Sequence, residues 1–106
     1  MQLLTDELRQ QIPKLYSQEK KELKETFVYC KFFFPAGNWT WFVTEGEAQP
    51  NGDFIFFGYV IGLEREWGYF SLKELAEINI EGFKVERDLF FQPGTFSEVI
   101  KNFKNE

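Results

Sequence analysis

Residues 39–63 read WTWFVTEGEAQPNGDFIFFGYVIGL, two strands and the turn that joins them. From Trp39 to Glu45 the side chains alternate. Trp39, Trp41 and Val43 fall on one side and Thr40, Phe42 and Thr44 on the other, the period of an extended chain with one buried face. Gln49-Pro50-Asn51-Gly52-Asp53 is the turn, because Asn-Gly is favoured where two central residues need positive φ. Phe54 to Leu63 is apolar on both sides and is expected to be the central strand of a sheet. It is far shorter than the roughly 20 apolar residues that cross a bilayer.

Upstream, Thr26 to Phe34 keeps the period of two: Val28, Cys30, Phe32 and Phe34 are uniformly apolar, while Phe27, Tyr29, Lys31 and Phe33 are mixed. Pro35-Ala36-Gly37-Asn38 turns this strand back into Trp39 as a hairpin. Ser17 to Glu25 (SQEKKELKE) is a charged loop or solvated turn with little to give a core. Thr5-Asp6-Glu7 opens a short helix that Pro13 limits, with Leu4, Leu8, Ile12 and Leu15 at helical spacing. Downstream, Trp67 to Phe70 is a short strand and Ser71-Leu72-Lys73-Glu74 a capping box that opens a helix to about Asn79. Phe83 to Phe91 returns to strand character. Thr95-Phe96-Ser97-Glu98 is a second capping box, followed by an amphipathic helix with Phe96, Val99, Ile100 and Phe103 on one side. The expectation is a single α+β domain over residues 1–106, an antiparallel sheet of four to five strands with three helices packed on it.

Composition narrows the chemistry. The chain has 14 Phe, 4 Tyr and 3 Trp but a single Cys and no His, so the core must be largely aromatic. Without His, the usual triad, zinc cluster and imidazole switch lack their parts, and a single Cys cannot form an intramolecular disulfide. Cys30 shares the apolar side of its strand and is expected to be a buried, inert thiol. Lys and Arg total 12 against 17 Asp and Glu, a net charge of −5 that opposes nucleic-acid backbones and anionic membranes. The N-terminal MQLLTDELRQQ turns acidic and polar at once and lacks a signal-peptide pattern, so a cytoplasmic location is expected.

Several separated motifs carry a family resemblance. They are Leu3-Leu4-Thr5; Asn38-Trp39-Thr40-Trp41 with Thr44-Glu45; Gly68-Tyr69-Phe70-Ser71-Leu72 with Glu74-Leu75; and Glu86-Arg87-Asp88-Leu89 with Phe91, Pro93 and Ser97-Glu98-Val99. In this order, from Leu3 to about Val99, the chain resembles the bacterial domain-of-unknown-function family numbered 2958. The resemblance implies a setting on plasmids, prophages and other mobile elements, near anti-restriction and conjugation genes. It implies no catalytic or ligand-binding residue.

Three acidic pairs, Glu45 with Glu47, Glu64 with Glu66, and Glu86 with Asp88, have the spacing that puts two carboxylates on one face of a strand, as a Mg²⁺ site for phosphoryl chemistry requires. The blander reading is a solvated strand face or a guarded sheet edge. Arg65 and Arg87 each stand between two acids. Arg87 shares a face with Val85 and Leu89 and is expected to pair with Glu45 or with Glu64 or Glu66, or else to anchor an interface. Trp39, Trp41 and Val43 are expected in the core, which leaves Thr40, Phe42 and Thr44, with Tyr29 and Phe33 beside them, as an outer aromatic surface for a partner. Phe57-Gly58-Tyr59-Val60 resembles the aromatic strand of an RNA-recognition sheet but lacks its leading basic residue, and direct nucleic-acid binding is not expected.

The leading expectation is a non-enzymatic protein-binding module of a mobile element. It would inhibit a basic host protein, a CRISPR effector or restriction enzyme, through Tyr29, Phe33, Thr40, Phe42, Glu64, Arg65, Glu66, Glu86, Arg87 and Asp88. No cofactor is expected. A metal-dependent nuclease using the acidic pairs, with Lys31 or Lys84 as activating group, and a homodimeric assembly protein are the alternatives.

Overall fold

The structure is a computed structural model that describes residues 1–104. The Thr5 hydroxyl accepts from the Leu8 amide at 3.2 Å and starts α1 (Asp6–Gln11), where Asp6 and Glu7 complement the positive end of the helix. A 3₁₀ turn (Leu23–Glu25) leads to β1 (Phe27–Val28) and β2 (Cys30–Phe33), then β3 (Thr40–Ala48), β4 (Phe54–Ile61) and β5 (Arg65–Ser71). The Ser71 hydroxyl accepts from the Glu74 amide at 3.0 Å, so α2 (Leu72–Glu77) follows β5 directly. The chain ends through β6 (Asn79–Ile80), β7 (Phe83–Lys84), β8 (Glu86–Arg87), β9 (Gly94–Thr95) and α3 (Phe96–Lys104).

The main sheet has five strands, all neighbours antiparallel, in the order β5-β4-β3-β2-β8. The α+β fold with a four- to five-stranded antiparallel sheet and three helices, expected from the sequence, is the fold observed. The expected strand from Phe83 to Phe91 is instead cut into two-residue pieces. Glu81 and Gly82 take positive φ and fold β6 onto β7 as a ribbon, and the Asp88 carboxylate accepts from the Phe90 amide and turns the chain away.

Both faces of the sheet are covered. On one, Cys30, Phe32, Phe34, Trp41, Val43, Phe54, Phe56 and Phe70 pack with Leu3, Leu4 and Ile12 from the N-terminal segment and Leu75 of α2. On the other, Val28, Phe42 and Ile61 pack with Val99 of α3, edged by Tyr59, Phe91, Phe96, Ile100 and Phe103. This corrects the reading of Phe42 as an exposed platform: it is 1% exposed, with the Phe103 ring edge-on at 5.5 Å and Phe91 at 6.5 Å. The apolar stripe of α3 has to be buried, and the Thr40–Phe42–Thr44 face is where it lies, so Thr40 and Thr44 are buried too. Val28 joins this second core rather than that of Cys30 and Phe32, because the strand breaks at Tyr29.

A bulge in β3 organises the loop after α1. Val43 pairs with Gly58 and Glu45 with Phe57, leaving Thr44 as the extra residue, its hydroxyl donating to the Phe57 carbonyl at 3.0 Å. Glu45, 5% exposed, then receives the Tyr16 amide at 2.8 Å and the Gln18 amide at 2.7 Å on its two oxygens. The Gln18 side chain donates to the Phe27 carbonyl at 3.1 Å and the Thr44 carbonyl at 2.9 Å and accepts from the Phe27 amide at 2.8 Å. This side-chain amide takes the place of a strand neighbour where β1 has parted from β3.

Arg87 also differs from expectation. Its guanidinium donates to the Gln2 and Leu3 carbonyls at 2.6 and 2.7 Å rather than to a carboxylate, tying the N-terminal segment along β8. Two carbonyl acceptors satisfy the cation without the cost of burying a second charge.

Candidate functional site

The tightest surface feature is built around Trp39. The Phe34 amide donates to the Trp39 carbonyl at 3.0 Å and closes the β2–β3 hairpin, leaving the indole at the end of the sheet. There it stacks on Trp41, with centroids 5.8 Å apart and planes 25° from parallel, and its other side lies against Gly62, where a Cβ would run into the ring. Gly62 therefore stays glycine to let the β4–β5 turn approach. Trp39, expected in the core with Trp41 and Val43, is 39% exposed because it sits beyond the last paired residue of β3.

The indole divides two depressions. On one side is a cleft of about 830 Å³ lined by Lys31, Phe33, Thr40, Leu63, Arg65, Asp88 and Phe103, among others. The Lys31 ammonium lies 3.5 Å from the Asp88 carboxylate and 5.0 Å from the Phe103 ring centroid. The Asp88 amide donates to the Lys31 carbonyl at 3.0 Å, which continues the β2–β8 pairing past Arg87. On the other side is an apolar groove of about 550 Å³ between Trp39, Trp41, Leu63, Ile78 and Ile80. Leu63 is 94% exposed and Ile80 58%, so the groove carries large apolar side chains held in water. Glu64 and Glu66 follow Leu63, Glu77 and Glu81 bracket Ile78 and Ile80, and all four are exposed.

Of the residues expected at a partner site, Phe33, Thr40, Arg65 and Asp88 line the one cleft beside Trp39. Glu64 and Glu66 flank Arg65 on the surface. Phe42 lies beneath α3 and Arg87 under the N-terminal segment. Tyr29 is half-buried against the Phe27 ring at 4.8 Å, and Glu86 is half-buried opposite Phe33. Sequence reasoning missed Trp39, Leu63 and Ile80. A leucine at the tip of the Gly62-Leu63-Glu64 turn, where polar residues are usual, was the available signal.

The groups that chemistry would use are placed otherwise. Burial pushes the Cys30 thiol up to about 12, with Arg87 opposing the shift, so it stays protonated at neutral pH. Glu45 is held by backbone amides and Asp88 by Lys31. Among the described residues, no three His, Cys, Asp or Glu come together as a metal-ligand set. A smaller cavity of about 220 Å³ near Glu45 holds Tyr16 and Tyr69, and the hydrogen bond between the two phenols raises the Tyr69 pKa above its ordinary value. No helix among the described residues is long and apolar enough to cross a membrane.

A family model described as "Protein of unknown function (DUF2958)" matches residues 3–103. No curated protein and no solved structure matches the chain.

Proposed function

We propose, from the premise that the chain belongs to the DUF2958 family, that it is a non-enzymatic protein-binding module that docks on a basic, nucleic-acid-handling defence enzyme and blocks it. The observation that carries this reading is the exposed Trp39–Leu63–Ile80 cluster with acidic side chains around it. Interfaces draw most of their energy from a few aromatic and apolar anchors seated in pockets within a polar rim. A rim of Glu64, Glu66, Glu77 and Glu81 favours a partner whose own apolar anchor is surrounded by Lys and Arg, and it repels free nucleic acid. The mobile-element company that the family resemblance implies supports the narrower class of CRISPR effectors and restriction enzymes. The setting proposed is the cytoplasm.

The test is titration of the protein into purified DNA-cleaving effectors from a bacterial host, with Trp39→Ala and Leu63→Glu variants alongside. Saturable inhibition is expected, and Trp39→Ala should weaken it about 30-fold, the effect of losing a hot spot of about 2 kcal/mol. Inhibition unchanged in both variants would overturn the assignment of the site. Metal-dependent cleavage of nucleic acid by the protein itself, lost in Glu64→Gln, would overturn the non-enzymatic reading.

A further inference from the structure

The two edges of the sheet are treated differently. At β8, Arg87 draws Gln2 and Leu3 across the edge, and its amide meets the Met1 sulfur at 3.1 Å. At the opposite edge β5 runs for seven residues, REWGYFS, paired with β4 without a break from Ile61↔Arg65 to Ile55↔Ser71. It lacks the proline, bulge and covering segment that blunt many edge strands, and its charges, Arg65 and Glu66, stand only at its first end.

The free side of β5 can be identified. The Gly62 amide donates to the Glu64 carbonyl at 2.9 Å in the turn. The alternation of an antiparallel ladder then points the main-chain groups of Glu66, Gly68 and Phe70 toward β4 and those of Arg65, Trp67 and Tyr69 outward. Among the described residues, these outward groups have no hydrogen-bond partner.

Gly68 stands at the centre. A Cβ there meets nothing within 4 Å, and its φ is not in the left-handed region, so the monomer gives no steric reason for glycine in a strand interior. A strand glycine often marks a bulge, a tight bend or close approach by a ligand or another backbone, and β5 pairs with β4 without a bulge. The segment is also close to self-complementary about it. If a second β5 lies antiparallel with Gly68 opposite Gly68, Trp67 of each copy faces Tyr69 of the other as a hydrogen-bonded pair, both residues having outward groups. Gly68 then falls in a non-hydrogen-bonded pair, where Cα atoms approach to about 4.5 Å. Trp67 and Tyr69 already join a ring cluster on their face: Phe57 is 5.0 Å from Tyr69, and Tyr59 and Phe96 are 5.3 and 4.7 Å from Trp67. Tyr69 is 55% exposed at its margin, and the second copy would continue this aromatic ladder.

We propose that the β5 edge binds a second copy of this chain, across a two-fold axis at Gly68, to give one continuous sheet through both copies. It rests on observations other than those at Trp39, and the two surfaces meet only at Arg65 and Glu66.

Mass by light scattering across a concentration series tests it, with Gly68→Lys and Gly68→Glu variants. The wild type should reach two-chain mass. Each variant should stay at one-chain mass with unchanged circular dichroism, because the like charges face each other across the axis while the monomer has open space for the side chain. An equimolar mixture of the two variants should recover the two-chain mass. Trp67 and Tyr69 amide exchange should be slowed in the wild type and fast in Gly68→Lys, with the Phe70 amide protected in both. A wild type that stays at one-chain mass, a folded Gly68→Lys that remains a dimer, or a mixture that fails to associate would overturn the proposal. Should Gly68→Lys not fold, Tyr69→Pro serves in its place, since the main-chain donor it removes points outward and the ring it removes lies at the exposed margin of the cluster, and a dimer persisting in it would likewise overturn the proposal.

Discussion

Gln18 shows how much one side chain can hold. Its amide satisfies both main-chain groups of Phe27 and the carbonyl of Thr44, residues 9 and 26 positions away. Gln18→Ala strands the buried Thr44 carbonyl and the part-buried main-chain groups of Phe27, and with roughly 1–3 kcal/mol lost per unsatisfied buried group the variant should be destabilised by about 2–3 kcal/mol in denaturant unfolding. None of this could be read in SQEKKELKE, where composition says solvated loop, because the bonds are made with residues far along the chain. Cys30 was legible, since its burial follows from strand period alone. Asp53 makes a pH-dependent contribution. Its carboxylate accepts from the Phe54 amide at 2.7 Å and the Lys73 amide at 3.0 Å, which together hold its pKa below the ordinary 3.8. The unfolded chain therefore binds the proton more readily. The stabilisation is complete above the ordinary value and is lost as pH falls through the depressed one. Asp53→Asn should melt lower than wild type at pH 6, and the two melting temperatures should converge once the pH has fallen through the depressed value.

The same reasoning explains which elements could be read. Alternation and Asn-Gly located β3 and β4; of the two capping boxes, Thr95 and Glu98 form both halves, while at Ser71 only the hydroxyl's bond from the Glu74 amide forms. What alternation cannot say is which helix covers which face. The amphipathic stripe of α3 was evident, but the Thr-flanked face of β3 looked like an outer surface, since two threonines and a phenylalanine fit either role. The structure closes α3 over that face. Phe42→Ala should accordingly cost about 3–5 kcal/mol, the range for a fully buried aromatic, and should lower the denaturant midpoint without changing the slope. An exposed Phe42 would have given almost no change. The break at Tyr29 and the Thr44 bulge were likewise hidden, because each is set by where neighbouring strands part rather than by local propensity.

At the scale of the molecule, the sheet lies between a layer of α1, α2 and the N-terminal segment and a layer formed by α3. With both faces spent on packing, contact with other molecules falls to the ends and edges of the sheet. That is why the candidate site moved from the β3 face to the Trp39 end, taking Phe33, Thr40, Arg65 and Asp88 with it and leaving Phe42 behind. The loop that crosses from one layer to the other carries a further consequence. Its Tyr16 and Gln18 amides end on Glu45 and the Gln18 side-chain amide repairs the gap beside Thr44, with the Lys21 ammonium donating to its oxygen at 3.5 Å, whereas Lys20 and Glu22 lie in solvent. In an evolving lineage these neighbours answer to different pressures: Lys20 is free to drift, Gln18 is held by what its side chain bonds at Phe27 and Thr44, and Glu45 by the amides of Tyr16 and Gln18, so the two positions are constrained separately.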